Sequence, residues 1–199
     1  MTPPVDTAPF DCRPIVIATA GPNGAGKTTF FRAHLDALGL RYINADDLAR
    51  ELDTDAYEAA ELAARVRAAL VQEKESFVFE TVFSDPAGEK LAFLSDAAAQ
   101  GYAVVLCFVG LENVELSEAR VAQRVLRGGH DVPTEKLVAR FPRTLRNLSR
   151  AVRDLPHVLI YDNSERAHPF RAVAEFQQGA PVTVNEPVPA WARGLFEER

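Results

Sequence analysis

The sequence predicts an α/β fold with a largely parallel five-stranded sheet flanked by helices. Short apolar runs alternate along the chain with segments of helical periodicity, which is the pattern of parallel strands joined by crossover helices. A glycine-rich loop of fixed spacing joins the first apolar run to the first helical segment, and an arginine-rich helical segment separates the last two predicted strands. These observations predict one domain with a helical lid at the carboxyl ends of its strands.

The composition indicates a single globular domain. The chain has 199 residues, of which 47% are hydrophobic and 25% are charged, and it contains only two cysteines. Residues up to about 11 are rich in proline and threonine, which predicts a flexible tail over residues 1–12 and one domain over residues 13–199. Because the tail has neither a basic start nor an apolar core, and no apolar run could cross a bilayer, we expect a cytoplasmic protein that does not contact a membrane.

The first strand and the loop after it give the clearest functional signal. Residues 15–18 form a β-branched apolar run suited to a buried strand, and residues 28–38 predict a helix that Gly39 ends. Between them the sequence GPNGAGKT fits the pattern GxxxxGKS/T. In such a P-loop, backbone N–H groups surround the phosphates of a nucleotide, the lysine reaches the outer phosphates and the hydroxyl holds Mg²⁺. The predicted fold class is therefore that of the P-loop NTPases.

The predicted nucleotide site consists of the loop and the two threonines after it. Thr28 is the candidate ligand of Mg²⁺, and Lys27 is the candidate catalytic cation. The cofactor-binding residues predicted from this stretch are Gly21, Pro22, Asn23, Gly24, Ala25, Gly26, Lys27, Thr28 and Thr29.

The second and third predicted strands both lead into acidic residues. Asp46 lies two residues after the strand at residues 41–44, and Glu80 ends the apolar strand at residues 77–80, followed by Thr81. Ligands of parallel sheets bind at the carboxyl ends of the strands. We therefore expect Asp46 to be the base that accepts a hydroxyl proton, or to position magnesium through water, and Glu80 and Thr81 to bind the acceptor.

Other acidic residues at this edge have simpler interpretations. Asp47 fits the role of a charge that stabilises a helix N-terminus. Asp162 follows the fifth strand at the same edge. No strand ends in the usual aspartate of a Walker B site, so either Glu80 or Asp46 takes that place, and the sequence leaves both open.

The remaining elements before the lid are two helices and a strand. A helix over residues 55–74 has an apolar stripe of leucine and valine and no candidate site residue. The next helix is predicted to start at Pro86, with Ser84 or Asp85 as its N-cap, and to end near residue 100. The fourth strand is predicted at residues 102–109. The apolar stripe of the helix over residues 55–74 comprises Leu62, Val66 and Leu70.

The end of the chain predicts the edge of the sheet. A fifth strand is predicted at residues 156–161, ending in the sequence DNSE. Two weaker segments within residues 170–186 are interpreted as short strands that complete the edge, and residues 189–198 as a final helical turn or two.

The arginine-rich segment over residues 117–153 predicts the lid. It contains nine Lys or Arg and three Asp or Glu, a net charge of +6, whereas the rest of the chain has a net charge of −12. Its first helix places Arg120, Arg124 and Arg127 on one face, because they are spaced by four and three residues. We expect Arg124 to contact the nucleotide and Arg120 the acceptor.

A second helix of the lid is predicted from Thr134 onwards. Pro142 lies inside it and predicts a kink. Two arginine-faced helices joined by a short hinge predict a lid that closes over a triphosphate, whose oxygens match guanidinium geometry. A solvated charged face is the alternative for each single arginine. One side of this helix presents Arg140, Arg143, Asn147 and Arg150.

Several segments together resemble the zeta-toxin family of P-loop kinases: AGPNGAGKTTF, INADDLA, FVFET, RVAQRVLRGGHDVP, ARFPRTLRNL and YDNS, over about residues 15–164. The resemblance implies a kinase that uses ATP and Mg²⁺. It also implies that the acceptor is a sugar-nucleotide, UDP-N-acetylglucosamine, phosphorylated on a hydroxyl of its sugar, and that an antitoxin protein restrains the enzyme.

The resemblance also implies roles for matching residues. Lys27 and Thr28 would hold phosphates and magnesium, Asp46 would be the base, and Glu80 with Thr81 would face the sugar. The catalytic lid arginines would be Arg127 and Arg140, which are 13 positions apart. Asn163 would lie near the adenine.

Two other functions fit parts of the sequence. The basic segment could track a phosphate backbone, which would make the protein a polynucleotide 5′-hydroxyl kinase. The overall net charge of −6 argues against nucleic acid, and so does the presence of only one aromatic residue, Phe141, among the lid arginines, too few to stack successive bases. The protein could instead be a switch that binds ATP without transferring a phosphoryl group. His34, His157 and His168 have no Cys or His partner at metal-ligand spacing, so no metal beyond Mg²⁺ is predicted.

Overall fold

The chain forms one sheet with helices on both faces. This computed structural model describes residues 9–126, 128–129 and 131–197. The strands of the described residues are β1 (Ile15–Ala20), β2 (Arg41–Ile43), β3 (Phe77–Thr81), β4 (Ala103–Gly110), β5 (His157–Asp162), β6 (Arg171–Gln177) and β7 (Ala180–Val184). The helices are α1 (Lys27–His34), α2 (Ala45–Leu52), α3 (Ala56–Gln72), α4 (Glu89–Ala99), α5 (Val114–Val125) and α6 (Thr134–Asp154), with 3₁₀ turns at Asp36–Leu38 and Ala190–Leu195.

The strand order confirms the predicted α/β fold. The sheet of the described residues has seven strands in the order β2-β3-β1-β4-β5-β6-β7. The five predicted strands, β1 to β5, are all parallel to one another. The two weaker segments are β6 and β7, which pair antiparallel and extend the sheet beyond β5. The result is a mostly parallel sheet of the P-loop fold, in which the carboxyl ends of β1 to β5 lie at one edge.

The central strands of the sheet are buried on both faces. Along β1, Val16 and Ala18 pack into the core on the side of α3, α4 and α6, while Ile15 and Ile17 pack into the core on the side of α1. A strand buried on both faces is apolar throughout, which is why residues 15–18 form an unbroken apolar run. Cys107 lies in the second core, where burial raises the pKa of its thiol to about 12.

The register of the sheet brings the predicted acidic positions to its carboxyl edge. Glu80 on β3 lies opposite Thr19 on β1, just before the glycine-rich loop. Asp162 on β5 lies opposite Gly110 on β4. Asn44 follows β2 and caps α2, and its side chain accepts a hydrogen bond from the backbone N–H of Asp46 at 2.9 Å.

The prediction for the start of α4 was wrong. The helix begins at Glu89 with Gly88 as its N-cap (φ 78°), not at Pro86 after Ser84 or Asp85. The residues before it form a loop that α6 holds in place. Asn147 donates hydrogen bonds to the backbone oxygens of Phe83 and Asp85 at 2.9 and 3.0 Å, and Thr144 donates to that of Val82 at 2.9 Å. This tertiary anchoring overrides a local capping signal.

The buried face of α3 is rotated relative to the predicted stripe. Asp55 caps the helix as its side chain accepts from the N–H groups of Tyr57 and Glu58. Of the predicted stripe Leu70 is buried, whereas Leu62 and Val66 are half-buried. The buried residues of α3 are Ala59, Ala63, Arg67, Leu70 and Val71.

The first described residues belong to the domain rather than to a tail. The N–H of Cys12 donates to the oxygen of Pro9 at 3.0 Å, and Phe10 packs against the core beneath α1. Residues 1–8 of the predicted tail lie outside the described residues. Helix α6 continues through Pro142. In the part of the chain that the structure describes, no helix is long and apolar enough to cross a membrane.

Candidate active site

The glycine-rich loop packs tightly against β4 and α5. Gly21 adopts a positive φ of 146°, and a Cβ at this position would lie 2.1 Å from the backbone oxygen of Val109. At Gly24 (φ 74°) a Cβ would lie 2.9 Å from the backbone oxygen of Ser117. The Ser117 hydroxyl in turn donates to the oxygen of Asn23 at 2.7 Å. Glycine is therefore required at both positions by close approach as well as by backbone conformation.

Lys27 is buried at the first turn of α1. Its side chain is 7% exposed, and its ammonium donates to the backbone oxygen of Pro22 at 3.2 Å and lies 3.8 Å from Oε1 of Glu80. Burial lowers the pKa of Lys27, and the charges of Glu80 and Asp46 oppose that shift. Polyphosphate next to this ammonium would favour its charged form further, so the local charges suit an anionic nucleotide.

Glu80 and Thr28 form a pair that fits a divalent cation. Oε2 of Glu80 accepts hydrogen bonds from the Thr28 hydroxyl at 2.8 Å and from the Tyr42 hydroxyl at 2.5 Å, and Asn44 Nδ2 lies at 3.5 Å. Among the described residues there is no group of three or more His, Cys, Asp or Glu that could hold a metal ion. A cation here would thus be held by Thr28, Glu80 and phosphate oxygens, a hard oxygen donor set that Mg²⁺ prefers.

Tyr42 supports Glu80 and was missed by sequence reasoning. Its ring stacks on that of Phe31, with centroids 3.8 Å apart and planes 9° apart. Burial, and then the charge of Glu80, raise the pKa of Tyr42, so its hydroxyl remains a donor to the carboxylate. Asn44 was missed as well, although its place before a helical run is an N-cap signal.

Asp46 lines three cavities. It is exposed on the first turn of α2, and it lines cavities of 670, 520 and 160 Å³. Thr28 also lines the largest, Lys27 lines the 520 Å³ cavity, and Glu80 and Thr81 line the two smaller ones. The predicted base, the predicted phosphate ligand and the predicted acceptor ligands therefore surround the same space.

The lid helices line the 520 Å³ cavity with cations. Arg124 from α5 and Arg140 from α6 both lie in its wall, and Arg124 also lines the 670 Å³ cavity. The charge of Arg124 further lowers the pKa of Lys27. Arg127 lies outside the described residues. The other cations of the wall are Lys90, Lys136 and Arg143.

Arg120 does not line the cavities that Arg124 lines, although the two residues belong to the same predicted stripe. Its guanidinium donates to the backbone oxygen of Ser164 at 3.1 Å, and its Cβ packs behind Gly24. Burial lowers the pKa of Arg120, and Asp162 opposes that shift. The side chain is not among those that line the three cavities around Asp46.

Asn163, the residue after β5, braces the glycine-rich loop, whereas Asp162, the last residue of β5, is bonded to other side chains. Asn163 donates to the backbone oxygen of Ala25 at 2.8 Å and accepts from the N–H of Phe170 at 3.3 Å. Asp162 accepts from Trp191 Nε1 at 3.2 Å and from the Ser164 hydroxyl at 2.6 Å. The carboxylate of Asp162 therefore has a structural role at the strand end.

Three solved structures show how far the likeness of the fold extends. The crystal structure of AvrRxo1-ORF1:-ORF2 with ATP has a TM-score of 0.68 at 19% identity, over 87% of this chain and 61% of that chain. The PezAT chromosomal toxin-antitoxin system of Streptococcus pneumoniae gives 0.56 at 19% identity, over 82% and 71%. The Pnkp1/Rnl/Hen1 RNA repair complex gives 0.57 at 15% identity, over 69% and 46%. At such identities the likeness concerns the fold alone.

The family comparison is more specific than the structural one. The chain spans less than two thirds of the AvrRxo1-ORF1:-ORF2 chain that it matches, and no curated protein matches it. The family model described as Zeta toxin, however, matches residues 5–172. That match includes the glycine-rich loop, Asp46, Glu80, both lid helices and Asn163. The chain therefore belongs to the zeta toxin family of P-loop kinases.

Proposed function

We propose that the protein transfers the γ-phosphoryl group of ATP to a sugar hydroxyl of a sugar-nucleotide such as UDP-N-acetylglucosamine. The observation that supports this most is that Asp46 lines the same 520 Å³ cavity as Lys27, Glu80 and Arg140. A phosphate ligand, a candidate base and a lid cation around one space are what a kinase needs, because phosphoryl transfer depends on positioning and on charge neutralisation.

The donor side of the proposed reaction uses the glycine-rich loop and the lid. Lys27 binds the outer phosphates of ATP, while Arg124 and Arg140, which line the same cavity, neutralise charge on the migrating group. Thr28 and Glu80 would hold Mg²⁺. When bound, this ion neutralises phosphate charge and orients the γ-phosphoryl group. Membership of the zeta toxin family and the ATP bound by AvrRxo1-ORF1:-ORF2 support ATP as the donor.

The acceptor side centres on Asp46. Its carboxylate accepts the proton of the acceptor hydroxyl as the oxygen bonds to the γ-phosphorus and ADP leaves. Thr81 lines both smaller cavities and is placed to donate a hydrogen bond to the acceptor. We retain as proposals the contact of Arg120 with the acceptor, of Arg127 with the migrating group and of Asn163 with the adenine.

An acceptor panel tests the proposal. The protein is incubated with radiolabelled ATP, Mg²⁺ and, separately, UDP-N-acetylglucosamine, N-acetylglucosamine and a 5′-hydroxyl oligonucleotide. We expect label in UDP-N-acetylglucosamine, with a phosphorylated sugar seen by mass spectrometry. If ATP binds but no label reaches these acceptors or any compound of a metabolite extract, the protein is a nucleotide-dependent switch rather than a kinase.

A polynucleotide 5′-hydroxyl kinase is the second candidate. The cations Lys136, Arg140 and Arg143 lie in one wall of the 520 Å³ cavity, and a nucleic acid backbone could follow them. Preferential labelling of the oligonucleotide, with binding that weakens steeply as salt rises, would favour this function.

We further propose that a partner protein acts as an antitoxin. Zeta toxin membership and the toxin-antitoxin system of the PezAT structure support this. Tyr57 on α3 lines the 520 Å³ cavity although its side chain is 78% exposed, which offers an aromatic anchor beside the site. Growth arrest on expression of the active protein, absent with an inactive variant, would identify a toxin.

A further inference from the structure

The smallest of the three cavities is lined by Asp46 but by no residue of the two lid helices. It has a volume of 160 Å³ and lies between α3 and the end of β3. Two alanines of α3, Ala60 and Ala63, leave this space open. Its polar lining includes Asp46, Glu80 and Thr81, and it contains two cations that the proposed reaction does not use, Arg67 and Lys90.

Arg67 is a buried cation without an acidic partner. Its side chain is 9% exposed on the buried face of α3, and the structure shows no hydrogen bond or ion pair between it and the described residues. Its Nε is buried and unpartnered. Burial alone lowers the pKa of the guanidinium. Burying an unpaired charge costs desolvation free energy, so the presence of Arg67 at this position needs an explanation.

Packing explains only part of this arrangement. The guanidinium carbon lies 5.0 Å from the ring centroid of Phe79 and 5.6 Å from that of Phe93, so both rings attract the cation through their faces. Methionine or leucine could fill the same space without the desolvation cost. Neither ring supplies a hydrogen-bond acceptor for the N–H groups, which are therefore open to an oxygen acceptor placed in the cavity.

Lys90 adds a second positive charge to the cavity. Its ammonium lies 3.5 Å from the carboxylate of Glu89, but Glu89 is 72% exposed, so solvent weakens that pair. Across the cavity the charge of Glu80 is already opposed by Lys27. The two cations are therefore available to an anion placed beside Asp46. A volume of 160 Å³ is about five times the ~30 Å³ share of one water molecule, enough for one phosphoryl or carboxylate group.

We propose that Arg67, assisted by Lys90, binds an anionic group of the acceptor, either phosphoryl or carboxylate, in the 160 Å³ cavity. Asp46 lines this cavity and the 520 Å³ cavity that contains Lys27. The anionic group thereby fixes one end of the acceptor while its hydroxyl lies at Asp46, between the anion and the donor. This subsite rests on the proposed kinase function, and it restricts the acceptor to negatively charged compounds.

Binding measurements separate the subsite from the chemistry. The protein is first saturated with Mg²⁺ and the non-hydrolysable analogue AMP-PNP, so that the glycine-rich loop is occupied. Calorimetry then follows the addition of inorganic phosphate, N-acetylglucosamine 1-phosphate, glucuronate and neutral N-acetylglucosamine. We expect both anionic sugars to bind at least about tenfold more tightly than the neutral one, as charge-assisted hydrogen bonds imply, and phosphate to compete with them.

Substitutions of Arg67 assign the effect to this residue. Arg67→Met keeps the length and the contacts with the rings and should abolish the preference for anions, while Arg67→Lys should retain part of it. Arg65→Met is the matched control, because Arg65 is exposed on the same helix and should leave the preference unchanged. AMP-PNP affinity should be equal in all four proteins, which also verifies that each is folded.

The outcomes distinguish the subsite from the kinase assignment. Anion-dependent binding that Arg67→Met removes, without phosphoryl transfer to any acceptor, would support the subsite and reject the kinase. Equal binding of neutral and anionic sugars, no binding of either, or an anion preference that survives in Arg67→Met would overturn the subsite whether or not the protein transfers phosphate.

Discussion

The two halves of the candidate site are built in different ways. The donor half is a contiguous loop held by backbone contacts, such as the close approach of Gly21 to Val109. The acceptor half is assembled from side chains of α2, α3, β3 and α4, which include Asp46, Arg67 and Lys90. The donor half thus depends on local conformation, and the acceptor half on how four separate elements pack.

This difference indicates which half of the site can change its specificity for a substrate without a change of fold. A loop that surrounds phosphates with backbone N–H groups tolerates little variation, since a Cβ at Gly21 would lie 2.1 Å from the Val109 oxygen. Side chains of a composite cavity can be exchanged without moving the backbone. The two halves should therefore respond separately to substitution, and Glu80 should couple them because it contacts both Thr28 and the acceptor cavities.

The largest effect is expected at Lys27. Lys27→Met removes the cation next to the phosphates and should reduce the phosphoryl transfer rate by at least about 10³-fold. Because it also leaves the largely buried carboxylate of Glu80 without its cationic partner, we expect a loss of thermal stability as well. Transfer assays and thermal melts measure the two effects. A variant that keeps its transfer rate would contradict the assignment of the donor half.

A second substitution tests the coupling through Glu80. Glu80→Gln keeps the shape but removes the charge beside Thr28 and Lys27, and should weaken Mg²⁺ affinity by roughly 10- to 100-fold. A Mg²⁺ titration of the transfer rate measures this. Unchanged Mg²⁺ dependence would assign the metal to Asp46 instead.

A smaller effect on Mg²⁺ affinity is expected when Glu80 loses the hydrogen bond from Tyr42. Tyr42→Phe removes the 2.5 Å hydrogen bond to the carboxylate but keeps the ring stacked on Phe31. Since a hydrogen bond to a charged group contributes about 1.5–3 kcal/mol, we expect roughly tenfold weaker Mg²⁺ affinity with an intact fold. The same titration measures it, and Phe31→Leu, which alters the stack but not the hydrogen bond, is the control.

The smallest effect on transfer is expected from the loop before α4. Asn147→Leu leaves the oxygens of Phe83 and Asp85 without their donor and should lower the free energy of unfolding by about 1–3 kcal/mol. Because this loop lines the 520 Å³ cavity beside Asp46 but is separate from the glycine-rich loop, the acceptor KM should rise severalfold while ATP affinity stays constant. Urea denaturation and steady-state kinetics measure these effects. Ser149→Ala on the same helix should change neither, and a loss of ATP affinity in Asn147→Leu would show that the halves are not separable.

The donor half was predictable because its signal is contiguous. A fixed spacing of glycines, lysine and threonine between an apolar run and a helical run specifies the loop without tertiary information. The acidic ends of β2 and β3 were predictable for a related reason, because parallel strands bring their carboxyl ends to one edge. Both inferences use backbone geometry, which the local sequence largely determines.

The acceptor half was only partly predictable because tertiary packing decides it. Arg67 lies four residues after Ala63 and three before Leu70, a spacing that fits the buried face, but Leu62 and Val66 form a competing stripe on the same helix. The start of α4 was missed because Asn147, far along the chain, holds the loop before it. Such effects require knowledge of which elements pack together.

The most direct test of the central claim compares Asp46 with its neighbour. Asp46→Asn removes the proposed base, whereas Asp47→Asn, matched in chemistry on the same helical turn, removes a carboxylate that pairs with Arg50 at 2.6 Å. Under single-turnover conditions with ATP, Mg²⁺ and the labelled acceptor of the panel, we expect Asp46→Asn to lose about 10²- to 10⁴-fold in transfer rate with unchanged ATP affinity. Asp47→Asn should retain the rate of the unaltered protein. Equal transfer rates for Asp46→Asn and the unaltered protein would contradict the kinase site proposed at this edge of the sheet.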